Sequence, residues 1–346
     1  MTDITISSWW SRVEARLAFL LPAWFVAVMG WCGLAQAWLR AEPLLDEWAL
    51  GIGLVAAGFA LLVFVLLCAA SVWRLHAHPD AVHADLLHPV RHAFMASLPI
   101  SLILLSSLGV SLFGGTDALL DGLLTVVWVL GSVLELWATW WVLARWLRAK
   151  EQGGLLWPSV TPVLFIPVVG NVLAPLAGPQ LGLGAWATAQ FGIGLFLWPI
   201  LLTLFIVRMV QAGPLPPRMT PTVFVSLAPP SVVGLSLMAL DAPLGAVWAA
   251  WGIALFFFGW SLTQLGTIRE LPFGMPHWGM SFPCAAFSAL TLRLAQTPQG
   301  HWLHTPALVL LGATSLLILW LTLSAWRGLR QAPILSPRLS RDDRPG

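Results

Sequence analysis

Hydrophobic positions along the chain gather into ten runs, at 17–39, 50–73, 94–113, 119–147, 157–177, 183–207, 221–240, 244–265, 278–292 and 308–326, separated by charge, Pro or Gly. About 20 apolar residues in a helix cross a hydrocarbon core. The pattern therefore predicts an all-α integral membrane protein of about ten transmembrane helices. Residues 1–16 and 327–346 fall outside the bilayer as cytoplasmic segments. Residues 17–326 form a single membrane domain, since no polar or charge-rich stretch divides the runs. The first run follows Arg12 and Arg16 and ends in Ala35-Gln36-Ala37, the outline of a cleavable signal. It is too long for a signal's apolar region and contains Pro22, Gly30 and Gly33, and its loss would leave nine helices, so it reads as the first spanning helix.

Composition closes off the main alternative. The 346 residues are 58% hydrophobic and 9% charged, where a soluble chain carries about 25% charge. A lipid bilayer must be the main partner, and a net charge of +2 gives no basis for nucleic acid. Cys32, Cys68 and Cys284 lie inside apolar runs with no CxxC spacing, which points to no disulfide framework, metal site or cofactor. Among 22 Trp, those at 38, 48, 157 and 326 lie near run ends, where the amphipathic indole prefers the headgroup level. Trp31 and Trp128 lie deeper and read as packing.

The placement of charge says more than its sum. With the N-terminus inside, fifteen Lys and Arg fall in cytoplasmic segments and only Arg40 and Arg293 fall outside. That asymmetry predicts both termini in the cytoplasm and an inner (plasma) membrane location. Proline is asymmetric too. Odd-numbered runs contain Pro22, Pro99, Pro162, Pro167, Pro175, Pro229, Pro230 and Pro283, whereas even-numbered runs contain only Pro199. Proline removes a backbone donor and bends a helix, and in lipid the freed carbonyl needs a partner. The expected architecture is five helical hairpins, each with a proline-kinked inner helix and a straight outer one, around a central pore.

Three segments carry a family resemblance: His88-Pro89-Val90-Arg91 leading to Pro99, Pro167-Val168-Val169-Gly170-Asn171, and Trp278-Gly279-Met280-Ser281-Phe282-Pro283. In order and placement the chain resembles the tellurite-resistance and C4-dicarboxylate transporter family, which includes the slow-type anion channels of plant guard cells. The resemblance runs from about Pro22 to Trp326. It implies a homotrimer whose protomers each hold a pore lined by odd helices and blocked by a phenylalanine, here Phe282. Control through the long cytoplasmic regulatory tails of the plant channels is not expected to carry over.

The odd runs hold no Asp, Glu, Lys or Arg between their ends. Ser97, Ser101, Ser106, Ser226, Ser231, Ser281, Ser288 and Asn171 either line a neutral lumen or bond to helix backbone. A helix broken at proline would turn its positive N-terminal end toward the lumen and favour anions. Pore-lining or kink positions are thus Pro22, Pro99, Pro167, Asn171, Pro229, Ser281 and Pro283. Glu135, a carboxylate deep in an even run, either carries a proton in coupled transport or bonds to a neighbouring helix. His76, His78, His83, His88 and His92 cluster between the second and third runs without the carboxylate or thiolate partners of a tight metal site. No set of nucleophile, acid and metal ligand suggests an enzyme. The expected activity is passage of small inorganic anions. Proton-coupled carriage of C4-dicarboxylate anions such as malate, or sulfite- or tellurite-related export, is the alternative.

Overall fold

A computed structural model describes residues 17–331 of the chain; the segments 1–16 and 332–346, with Arg12, Arg16, Arg338, Arg341 and Arg344, lie outside the described residues. Helix dominates, and among the described residues there is no strand. In chain order the spans are α1 (Pro22–Leu45), α2 (Glu47–Ala77), α3 (Arg91–Phe113), α4 (Ala118–Trp146), α5 (Pro162–Leu176), α6 (Gly184–Ala212), α7 (Pro217–Ala239), α8 (Leu244–Leu262), α9 (275–295) and α10 (His304–Gln331). Eight of them are long and apolar enough to cross a membrane by length and composition; α5 and α9 are the exceptions. The α5 span has 15 residues. Eleven of these are in 3-10 turns, whose rise of about 2.0 Å per residue stretches the segment to roughly 28 Å, close to the hydrocarbon thickness.

The two kinds of span differ in backbone and in burial. All five odd spans contain 3-10 turns, at Pro22–Trp24, Arg91–Ala96, Pro162–Phe165 with Gly170–Leu176, Pro217–Leu227 and Met275–Met280, while α2, α4, α6, α8 and α10 are α-helical throughout. Burial follows the same division. The hydrophobic windows of α1, α3 and α7 are 78%, 67% and 83% buried, against 17% for α2 and 28% for each of α4, α6, α8 and α10. Every residue of α5 is buried, as is every residue of Ser281–Ala295 except Arg293. Odd helices are therefore inside and even helices face outward, where Leu119, Val210, Phe256 and Leu316 are exposed as a lipid-facing surface requires.

Each odd span packs on the even span that follows it, giving five hairpins, and the odd spans touch in the closed order α1, α3, α5, α7, α9 and back to α1. The turns from α1 to α2 and from α7 to α8 bend at Asp46 and Asp241, with φ of 54° and 52°, a region that short Asp side chains tolerate.

Proline sits where its missing N–H costs least. Pro99, Pro167, Pro229 and Pro283 are the second or third residues of their α segments, directly after a 3-10 run. The residues at these junctions, Ala96, Phe165, Leu227 and Met280, keep right-handed helical dihedrals, so the backbone passes from 3-10 to α without a free helix end. The positive N-terminal ends expected to face the lumen are capped by the preceding turns.

Side chains supply the missing backbone partners. Asn171 Nδ2 donates to the carbonyls of Pro167 and Val168 at 3.3 and 3.2 Å and to Thr139 Oγ1 at 2.7 Å. Gln190 Nε2 donates to Asn171 Oδ1, and Ser132 Oγ donates to Gln190 Oε1. This buried network ties α5 to α4 and α6, and Ser236 adds a bond from α7 to the Val172 carbonyl. Indoles do similar work. Trp31 and Trp38 donate to Thr322 and Ser315 of α10, so Trp31 is more than packing and Trp38 is not a pure headgroup anchor.

Candidate functional site

Two cavities lie along the axis of the odd helices. The larger, about 650 Å³ including space open to solvent, is walled by all five odd spans and by no even one. Its wall includes Val26 and Met29 of α1, Ile100 of α3, Gly170 of α5, Pro229 of α7 and Gly279 of α9. The smaller, about 290 Å³, is also walled by all five: Gln36 and Arg40 of α1, Leu104 of α3, Leu176 of α5, Leu235 of α7 and Ala289 of α9. In each helix the larger cavity takes earlier residues and the smaller takes later ones. The five odd spans therefore run parallel, and in four of them the 3-10 turns lie at one end of the lumen only, its 3-10 end; α5 alone also has a 3-10 turn, Gly170–Leu176, at the other, α end.

Phe282 and Leu173 line both cavities. They form the partition between them, and each is almost wholly buried, with 5% and 1% exposure. The Phe282 ring has a prepared seat. A methyl group at Gly33 would stand 3.2 Å from Phe282 Cδ2 and 2.9 Å from Ala285 Cβ, so only glycine lets α1 approach α9 this closely. An apolar constriction of this kind resists ions because they must shed water with no replacement ligand.

The wall of the larger cavity carries no charged side chain. Its one hydroxyl, Thr222 Oγ1, donates to the Met219 carbonyl at 2.6 Å. Pro229 and Pro283 line this cavity, while Pro22, Pro99, Pro167, Asn171 and Ser281 are not among the lining residues of either. The expected serines are turned away from both cavities. Ser97, Ser101, Ser231 and Ser281 donate to the carbonyls of Phe94, Ser97, Leu227 and Trp278 in their own helices, and Ser106 donates across to Leu124 of α4. Ser226 and Ser288 are buried with no partner among the described residues.

Glu135 is fully buried on the inward face of α4, with neither carboxyl oxygen hydrogen-bonded among the described residues. A methyl group at Gly170 would collide with its Oε1. The carboxyl thus lies directly behind the α5 glycine that lines the larger cavity. Glycine is needed here to leave the carboxyl its space.

The histidine segment holds an ion-pair centre that the spacing of the histidines did not suggest. Asp85, in the short helix Pro79–Leu87, binds Arg74 at 2.7 Å and Arg91 at 3.3 Å, and Asp85 and Arg74 are both buried. His88 Nδ1 accepts from the Val90 and Arg91 amides. His92 is buried, with Trp146 donating to its Nε2 at 3.0 Å. Arg40 lies just past the first apolar run, which ends at 39, but α1 continues to Leu45 and carries Arg40 into the wall of the smaller cavity. The signal was present: Gly33, Gln36 and Arg40 recur at helical spacing on one face.

Comparison with known proteins identifies relatives over most of the chain. The chain is 29% identical over 304 residues to an uncharacterized transporter of Methanocaldococcus jannaschii, covering 78% of this chain and 82% of that one. It is 24% identical over 283 residues to a tellurite resistance protein TehA homolog of Haemophilus influenzae, covering 78% and 80%. It is 23% identical over 242 residues to the S-type anion channel SLAH2 of Arabidopsis thaliana, covering 69% of this chain and 45% of the plant protein. The family model described as voltage-dependent anion channel (SLAC1) matches residues 20–325, and the chain, a multi-pass membrane protein, belongs to that family.

Proposed function

We propose that the chain is a channel or channel-like facilitator, not an enzyme, that passes small anions along the axis of its odd helices with Phe282 as the steric gate. The observation that carries this reading is the paired cavities, each walled by all five odd spans and divided by Phe282 and Leu173. The neutral, apolar wall of the larger cavity gives an ion little to bind, which suits fast, weakly selective passage. We place the protein in an inner membrane with both termini cytoplasmic and assign it a homotrimeric assembly. Planar-bilayer recording and liposome flux across chloride, nitrate, sulfite and malate test the reading. Anion current above that of protein-free membranes is expected, and its absence for every anion would overturn the proposal.

A second reading is supported by one observation. Glu135 lies behind Gly170 with its carboxyl unpaired among the described residues, where a proton exchanged with the lumen would couple carriage of a dicarboxylate to a pH gradient. Glu135→Gln keeps the shape and removes the titration. Malate flux that depends on a pH gradient in the parent and not in the variant favours the carrier. Flux that is indifferent to pH in both confines Glu135 to a structural part.

A further inference from the structure

Neither a neutral wall nor capped helix ends give the lumen a preference for anions. The one charged side chain lining either cavity is Arg40, beyond Phe282 at the α end. Its backbone and one edge of its guanidinium are anchored. Nη1 donates to the Gln36 carbonyl at 3.0 Å and also to the Gln36 side-chain oxygen. Gln36 in turn donates to Ser107 of α3 at 3.2 Å, and the Arg40 carbonyl accepts from Gln296 at 2.6 Å. No hydrogen bond to a described residue uses Nε or Nη2, and no carboxylate of the described residues lies within ion-pair distance. Arg293, three residues before Gln296 and exposed, brings a second positive charge to the same end.

Two like charges held at one mouth repel each other, more strongly where protein and lipid lower the dielectric. A fold that keeps them there without a carboxylate leaves their compensation to a mobile ion. We propose that Arg40, oriented by Gln36 and reinforced by the exposed Arg293, is an anion-binding station at the α end of the lumen, for a small inorganic anion or a carboxylate. The inference rests on the anion-passage reading and deepens it. The free edge of a guanidinium offers two parallel N–H groups, which match the two oxygens of nitrate or a carboxylate better than a spherical halide. Its position before the constriction raises the local anion concentration and repels cations.

The test pairs a transport measurement with a binding measurement on the full-length protein. Nitrate current is recorded from low to high concentration, and thermal stability in detergent is measured with nitrate against chloride at constant ionic strength, since a ligand of the folded state raises its melting temperature. Arg40→Gln should raise the half-saturating nitrate concentration on the order of tenfold, as expected for losing one charge-assisted hydrogen bond to a ligand, and should abolish the nitrate-specific thermal shift. Arg40→Lys should restore part of each effect. Arg293→Gln, at an exposed position, should lower current at low ionic strength and converge with the parent at high salt. If Arg40→Gln does not assemble, Arg40→Lys and Arg293→Gln carry the test, and parental saturation curves in both would overturn the station. A nitrate shift that depends on Arg40 in a protein that passes no anion would sink the channel reading and leave the station standing. Saturation and thermal shift unchanged in Arg40→Gln would sink the station and leave the channel reading standing.

Discussion

Phe282 shows how little a single side chain declares in a membrane helix. It is one of 17 phenylalanines in the chain, and only its place in the Trp278–Pro283 segment singled it out. Leu173, which shares the partition, had no such marker among many leucines. The serines carry little signal for a lumen, because a hydroxyl in an apolar helix has a bond waiting on its own backbone, and four of the seven take it. Truncating the partition should therefore open the lumen. We expect Phe282→Ala to raise anion conductance per assembled protein well above the parent, and Leu173→Ala to raise it less, without admitting cations. Removing a buried Phe from a packed core typically costs about 3 to 5 kcal/mol. Here the ring borders a void on each side, so fewer contacts are lost. Bilayer currents normalised to correctly assembled protein decide the matter: a Phe282→Ala protein that assembles like the parent yet conducts no more would rule out the gate.

At the scale of the helix, apolar run length located the eight helices long and apolar enough to cross a membrane, and proline sorted the spans into two kinds. What it could not reveal was the form of the interruption. Proline was expected to kink the inner helices and bare their second halves; instead it marks a change from 3-10 to α with the backbone still helical. The freed carbonyls take side-chain partners, from Asn171 of α5 itself and from Thr139 and Ser236 of neighbouring helices. Asn171→Ala would leave one N–H of the Gln190 amide unpaired and remove one partner from the Pro167 and Val168 carbonyls, which keep Thr139 Oγ1 and the Gly170 amide; a buried group left unpaired costs about 1 to 3 kcal/mol. A clear fall in thermal stability in detergent is expected, and a melting temperature equal to the parent's would show that the network is not needed to hold α5. Asp85→Ala should also destabilise. Removing one partner of a buried pair typically costs about 3 to 5 kcal/mol; the lower end applies here, because Arg74 keeps bonds to the Ala18 and Ala81 carbonyls. A thermal-shift series with Asp85→Asn and Asp85→Ala measures it.

For the whole molecule, two asymmetries visible in the sequence turn out to share one axis. Proline and burial separate inner from outer helices, and charge separates the two ends of the lumen. Ten of the described Lys and Arg, at 74, 91, 145, 148, 150, 208, 218, 269, 327 and 330, fall at the ends of spans on the 3-10 side, and Arg40 and Arg293 fall on the α side. The closed circle of odd helices was less legible, because it depends on which helices touch. Periodicity says which face is apolar and not which neighbour covers it. Orientation in the bilayer follows from the charge asymmetry. Lys and Arg in short loops are retained on the cytoplasmic side, so the 3-10 end should face the cytoplasm and the α end with Arg40 the exterior. Reporter fusions within 78–90 and near Arg269 should then register cytoplasm, and one near Asp117, between α3 and α4, should register the outside. The count of spans is tested by the same set, since dropping α5 from the bilayer would place the loop at 78–90 and that near Arg269 on opposite sides. A cytoplasmic signal at Asp117 would invert the lumen, and with it the side from which the Arg40 station meets its anion.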